Sequence, residues 1–337
     1  MRLLRHTITA TFTVYGKQKL KNDSRTRGEH SASCPGLSLG ESMKLLTYID
    51  NGYETLGVLS KDEKLVYSLS DIGVSYFNMN DLVTRFSEED RRIISEFLDD
   101  PCEEGVPYAE IKKCAPIPRP AQDVICLGEN FRAHTKEAER YSNRAFGGEK
   151  KLPIYFSKRV GEAMPDYGGI PAHADMTGKL DYESELAVII GKEAYKVSEE
   201  EAYEYIFGYT ILNDISARDV QTGHRQWYLG KSLDGFTPIG PWIVTADEIP
   251  GRPEIQVKSY VNGELRQNGN TADFIFDIAY CIAELSSGMK LLPGTIISMG
   301  TPAGVGMGFD PPKFLSVGDN VDCEIEGIGT LHNTIIE

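Results

Sequence analysis

Glu183 and Glu185 stand two residues apart in LDYESELAVIIGK, a segment with the apolar content of a strand. A period of two places both side chains on one face. Two parallel acids on a strand interior are costly unless a cation or solvent balances them. Asp214 closes the apolar run YTILND, which puts a third carboxylate at a strand terminus, where active groups commonly sit. Three carboxylates with waters suit Mg2+ or Mn2+, hard ions that prefer oxygen. Zinc would recruit His or Cys, and neither lies in this set. The plain alternative is a solvated strand face and an unrelated aspartate.

His134 and Glu137 are the candidates for proton chemistry. At i and i+3 on a helix they share a face, and the carboxylate can orient the imidazole for abstraction of a proton near neutral pH. The alternative is an ordinary histidine on a charged surface helix. Arg218, Gln221, His224 and Arg225 follow Asp214 in a short helical stretch, and Lys231 lies in LGKSLD. An Arg or Lys here can bind a carboxylate or stabilise a developing enolate oxygen. Asp219 has a plain structural reading as a partner for Arg225. The segment SMGTPAGVGMGFDPP lacks both the GxGxxG fingerprint and a phosphate-loop ending. It reads as a ligand loop in which Thr301 offers a hydroxyl and backbone N–H groups face an anion.

These residues need elements to position them. From Met43 the sequence reads as short alternating strands with turns at Asn51-Gly52 and Lys61-Asp62, then helices around 80–87 and 88–99. Residues 43–114 form a small N-terminal α+β domain, and the proline-rich stretch 115–122 is a linker. DVICLG opens the second domain, 123–337, whose runs PIYFSK, ESELAVIIG, YIFGYTILND, EIQVKSYV, TIISMG and NVDCEIEGIG are β-like. The segment FRAHTKEAERYSNRAFGGEK is helix-compatible at its start, and among the later runs helical patterns occur at about 198–205, 215–224 and 273–287. The expected class is therefore mixed β (α+β), a rolled or sandwich-like β domain rather than doubly wound α/β. Asn262-Gly263 is a two-residue hairpin signal. Residues 1–42 read as a disordered extension or a non-native start.

The chain has 337 residues with 35 Lys and Arg against 50 Asp and Glu, a net charge of −15. Residues 1–42 carry seven basic residues against Asp23, Glu29 and Glu41, a balance of +4 that leaves −19 for the rest. An acidic body argues against nucleic acid as a partner, and no apolar run of 18 residues suggests a membrane span. It does not exclude an anionic small substrate, because a bound cation can reverse the local field. Six scattered cysteines without a CxxC pair point to reduced thiols and a cytoplasmic protein.

LDYESELAVIIGK, GYTILNDISARDVQ, LGKSLDGFTPIGP, VNGELRQNGNTADFIF and SMGTPAGVG occur in an order that resembles the fumarylacetoacetate hydrolase family. The resemblance covers roughly 120–335 and extends through the N-terminal part to bacterial members, among them acylpyruvate hydrolases and oxaloacetate decarboxylases. It implies a β-sandwich roll, usually dimeric, with Mg2+ or Mn2+ on Glu183, Glu185 and Asp214. It further implies His134 and Glu137 as the water-activating pair on a mobile lid of about 130–150. Lys231 would hold an oxyanion, and Arg218, Gln221 and Thr301 would contact substrate. The implied reaction is C–C cleavage of a small 2-oxo acid, releasing pyruvate through a metal-stabilised enolate, with acylpyruvate hydrolysis first. Oxaloacetate decarboxylation, a tautomerase or hydratase role, and a silent metal-binding scaffold follow. The expected partners are the anionic 2-oxo acid and a second copy in a homodimer.

Overall fold

The computed structural model describes residues 42–142 and 152–337. The appendage expected at 1–42 lies outside these residues apart from Ser42, as does the glycine-loosened end of the expected lid at 143–151. Three layers are stacked around a large central sheet. Edge to edge, its main path runs Val106–Pro107, Leu65–Ser68, Tyr53–Leu59, Lys44–Asp50, Ile239–Thr245, Ile206–Asn213, Ser184–Ile190, Ile296–Ser298, Val124–Gly128 and Ile154–Lys158. Lys112–Lys113 pairs beside Lys44–Asp50. The pairings are antiparallel except that of Ile296–Ser298 with Val124–Gly128. The N-terminal strands and the body share this sheet, because Lys44 and Leu45 pair with Val244 and Ile243.

One face of the sheet is covered by helices Met79–Arg85 and Glu88–Asp99. Ser87 caps the second through a reciprocal bond pattern with Asp90, which satisfies N–H groups left over at the helix start. Leu82, Ile94 and Leu98 pack there with Val58, Ala187 and Ile189. The other face packs on a five-stranded sheet ordered Glu264–Asn270, Gln256–Val261, Asn320–Ile325, Gly329–Ile336 and Gly169–Pro171. Leu186, Val188 and Ile190 fill that interface with Val257, Val321 and Leu331. The Ser184–Ile190 strand is therefore buried on both sides, which explains its near-continuous apolar text. The mixed-β sandwich is the expected class. Among the described residues no helix is long and apolar enough to cross a membrane.

Local chemistry sets the turns. Asn51 and Gly52, and Asn262 and Gly263, take positive φ (46° and 85°; 51° and 78°), the backbone that two-residue hairpins require. The helical patterns differ in detail from those read in the text. Residues 202–205 and 271–273 are 3-10 turns, and 216–217 is a strand pairing with Leu180–Asp181 before the helix Arg218–Gly223. The helix Ile278–Gly288 starts at the Asp277 cap, not at 273.

Candidate metal and proton-transfer site

Two neighbouring strands deliver the three carboxylates. Glu185 lies in Ser184–Ile190 with Glu183 immediately before it, and Asp214 follows Ile206–Asn213, the antiparallel neighbour whose Leu212 faces Glu185. The strand ends are stitched together where the acids emerge. Asp214 N–H donates to the Glu183 carbonyl at 2.8 Å, and Glu183 N–H donates to Asn213 Oδ1 at 3.1 Å. One oxygen from each of Glu183, Glu185 and Asp214 lies within 4.8 Å of the others, and all three residues are buried.

Glu183 and Asp214 belong to a continuous chain of buried charges that alternate in sign. Asp181 accepts from Arg218 Nε at 2.8 Å, and Arg218 Nη2 lies 2.7 Å from Glu183 Oε1. The latter is an ion pair off the N–H direction rather than an aligned hydrogen bond. Lys231 Nζ donates to Glu183 Oε2 at 2.6 Å and to Asp214 Oδ2 at 2.7 Å. Lys158 Nζ donates to Asp214 Oδ1 at 2.5 Å. Three acids and three bases thus make a neutral row. Burial alone would raise the Glu183 carboxyl, but the Lys231 ammonium and Arg218 guanidinium hold it well below the usual carboxylate range. Burial likewise opposes charge on Lys231, and Asp214 and Glu183 nevertheless push its pKa up.

Glu185 is outside the row. Its Oε2 accepts from the Ser298 hydroxyl at 2.6 Å and from Gly300 N–H at 3.1 Å, both neutral donors. Burial, and then the charges of Asp214 and Glu183, push its carboxyl well above the ordinary value. A divalent cation among the three acids supplies the positive charge that Glu185 lacks, so this all-oxygen donor set fits Mg2+ or Mn2+.

His134 and Glu137 sit on the helix Arg132–Ser142, with His134 Nδ1 3.2 Å from Glu137 Oε2. The carboxylate is held by Gly304 N–H, 2.9 Å from Oε1 and 3.1 Å from Oε2. Asn130, just before the helix, bridges the carbonyls of Phe276 and Met299 and accepts from Phe276 N–H. The helix start is therefore tied to the loop that carries Gly304. The expectation that this glycine-rich loop offers amides to an anion is met by the protein's own acids. Gly300 serves Glu185, Gly304 serves Glu137, and Gly306 and Met307 serve Asp181 at 2.6 and 3.0 Å.

A cavity of about 720 Å³ opens over these groups. Glu183, Glu185, Arg218, Gln221, Lys231 and Thr301 line it together with His134, so it collects every sequence-derived candidate except Asp214 and Glu137. Those two reach it through Lys231 and His134. Leu127, Phe156, Trp227 and Met307 supply apolar wall, and the exposed Lys179, His224 and Arg225 stand where the cavity meets solvent. Gln221 Oε1 accepts from Arg218 Nη1 at 3.1 Å. The Thr301 hydroxyl donates to the Ser184 carbonyl at 2.9 Å and accepts from Gln267 Nε2 at 2.6 Å, so its hydrogen is committed within the protein. Asp219 pairs with the Thr177 hydroxyl and Gly178 N–H, not with Arg225.

Three residues of the site have no motif to announce them. Lys158 ends the strand run PIYFSK, where a terminal lysine reads as solvated. Asp181 precedes the ExE pair, and its role depends on an arginine 37 residues away. Gln267 lies in a strand of the opposite sheet and donates from Nε2 to Thr301 and Pro302 while accepting from Ser184 N–H.

Residues 123–336 match the family model described as fumarylacetoacetate (FAA) hydrolase C-terminal. The chain belongs to the fumarylacetoacetate hydrolase family. Oxaloacetate tautomerase YisK of Bacillus subtilis is 41% identical over 289 residues, 82% of this chain and 91% of the relative. The fumarylacetoacetate hydrolase of Exiguobacterium antarcticum superposes with a TM-score of 0.74 at 36% identity, covering 87% of this chain and 99% of that one. Maleylpyruvate hydrolase from Sphingobium sp. SYK-6, solved with manganese(II) and pyruvate, gives 0.68 at 29% identity, covering 87% and 99%. The family placement agrees with the mixed-β architecture.

Proposed function

We propose that the site performs metal-dependent proton transfer on a small 2-oxo acid through its enolate, with keto–enol interconversion of oxaloacetate as the first reaction. The observation that carries the reading is His134, paired with Glu137, on the wall of a cavity that Glu183 and Glu185 of the three-carboxylate set also line. Similarity to an oxaloacetate tautomerase over most of both chains supports oxaloacetate as the substrate. A divalent ion held by Glu183, Glu185 and Asp214 supplies a Lewis acid that draws electrons from the 2-oxo group and acidifies the adjacent C–H. His134 takes and returns that proton at its Nε2, because Nδ1 is turned to Glu137. Glu137, fixed by Gly304 N–H, keeps the imidazole oriented. Lys231 and Arg218 present positive charge where negative charge develops on the oxygens. The apolar wall of Phe156 and Trp227 limits water at the reacting carbon.

Acylpyruvate hydrolysis is the second reading. The same imidazole can deprotonate a water, and a relative that is a maleylpyruvate hydrolase favours this outcome. A panel separates the two. With Mg2+ or Mn2+ present, enol–keto interconversion of oxaloacetate is followed by absorbance, and pyruvate release is followed from oxaloacetate, acetylpyruvate and fumarylpyruvate. Accelerated interconversion without pyruvate supports the first reading. Pyruvate from the acylpyruvates supports the second, and pyruvate from oxaloacetate marks a decarboxylase. Activity equal to that of a Glu183→Ala control on every substrate rejects the proposed chemistry.

A further inference from the structure

Lys158 ends the buried row of charges and has no part in the chemistry so far described. Its side chain is 0% exposed, and it does not line the cavity. The ammonium has three acceptors: Asp214 Oδ1 at 2.5 Å, the Ile215 carbonyl at 3.2 Å and the Lys231 carbonyl. Its three hydrogens are thereby matched. Burying an ammonium is costly, and placing one against an acid that faces a cation site opposes binding of the cation. A positive group so placed needs a compensating purpose.

Charge bookkeeping supplies one. With Lys158 the row Asp181, Arg218, Glu183, Lys231, Asp214 and Lys158 is neutral, and Glu185 adds a single negative charge. A divalent ion then leaves one positive charge in surplus. Without Lys158 the row and Glu185 together carry two negative charges, which a divalent ion only cancels. No surplus would remain to hold a carboxylate. We propose that Lys158 is a charge-setting residue: it keeps the metal-loaded pocket positive so that an anionic 2-oxo acid binds, while slightly weakening the hold on the metal. The inference rests on the reading that the site takes a divalent ion and a 2-oxo acid. It differs from a positioning role for Lys158 in the sign of its effect on the metal.

The test uses Mn2+ and oxalate as probes on the full chain. Mn2+ binding is read from the free-ion signal in electron paramagnetic resonance, and oxalate binding to the Mn2+-loaded protein by calorimetry. In Lys158→Met, Mn2+ affinity is expected to equal or exceed that of wild type, while oxalate affinity falls tenfold or more. Lys158→Gln, which keeps donors for the two carbonyls without the charge, should behave in the same way and serves if the methionine variant fails to fold. In Lys158→Ala, added ethylammonium should restore oxalate affinity. Wild-type oxalate affinity in both charge-free variants overturns the proposal. So does a parallel loss of Mn2+ and oxalate, the mark of a ligand carboxylate set adrift. Wild-type protein that takes Mn2+ but no oxalate overturns instead the 2-oxo acid reading beneath it.

Discussion

Replacing Gly308 by alanine probes the proton-transfer pair without touching either member. A Cβ at Gly308 would lie 2.6 Å from Glu137 Oε1, 2.7 Å from Cδ and 3.1 Å from Oε2. Ordinary contact begins at about 3.4 Å, so the carboxylate must retreat by roughly 0.8 Å. The His134 Nδ1···Oε2 distance is already 3.2 Å, at the long end for a hydrogen bond, and such a shift breaks it. Losing a hydrogen bond to a charged group costs about 1.5–3 kcal/mol. If the pair acts as proposed, that loss appears in the transition state as roughly a 10- to 100-fold fall in kcat. The fold should tolerate the change, because the atoms displaced are the end of a flexible side chain. The assay is enol–keto interconversion of oxaloacetate at saturating Mn2+, with Mn2+ affinity and Tm measured on the same samples. The expected result is the fall in kcat with Mn2+ affinity unchanged and Tm within a few degrees. A Gly308→Ala protein with wild-type kcat would refute the reasoning about Glu137.

Other substitutions test the electrostatics. Glu185→Gln removes a buried carboxyl whose ionisation burial and the neighbouring acids oppose and whose hydrogen-bond donors are neutral, so the metal-free Tm should rise. Wild-type protein at about 100 times the Mn2+ Kd should gain roughly 2.7 kcal/mol, and this variant should show little of that gain in thermal scans with and without the ion. Arg218→Lys cannot serve Asp181, Glu183 and Gln221 together, and breaking this buried row should cost about 3–5 kcal/mol in urea unfolding. Away from the cavity, Asp166 accepts from Lys113 and His332, at 2.7 and 3.1 Å. This hydrogen bond raises the His332 pKa, so its contribution to stability is complete below about pH 6.5 and fades as pH rises through the raised value. Burial opposes charge on Asp166, but His332 and Lys113 lower its pKa, and its contribution is present above about pH 4 and lost as pH falls. Asp166→Asn should lower stability by about 2 kcal/mol and flatten the decline that sets in as pH rises above about 6.5, read by Tm across a pH series.

Legibility in the sequence followed the range of the interaction. Glu183 and Glu185, His134 and Glu137, and Arg218 and Gln221 are two or three residues apart, so strand or helix geometry alone brings each pair together. Asn262-Gly263 announced its turn because few residue pairs accept that backbone. Lys158 is 56 residues from Asp214, and nothing local in PIYFSK distinguishes a lysine buried against a carboxylate from one in solvent. Thr301 lies on the cavity wall, yet the Ser184 carbonyl and Gln267 amide that engage its hydroxyl come from distant segments. The same limit applies to the architecture. A proline-rich stretch at 115–122 reads as a boundary, while the pairing of Lys44 with Val244 across 200 residues carries one sheet through both parts.

Enol–keto interconversion of oxaloacetate, measured in Mg2+ and again after chelation, tests the central claim most directly. Wild-type protein should accelerate the reaction only with the divalent ion, and His134→Ala should lose most of the acceleration while retaining Mn2+ binding. Equal acceleration after chelation, or an unimpaired His134→Ala protein, would contradict metal-dependent proton transfer at this site.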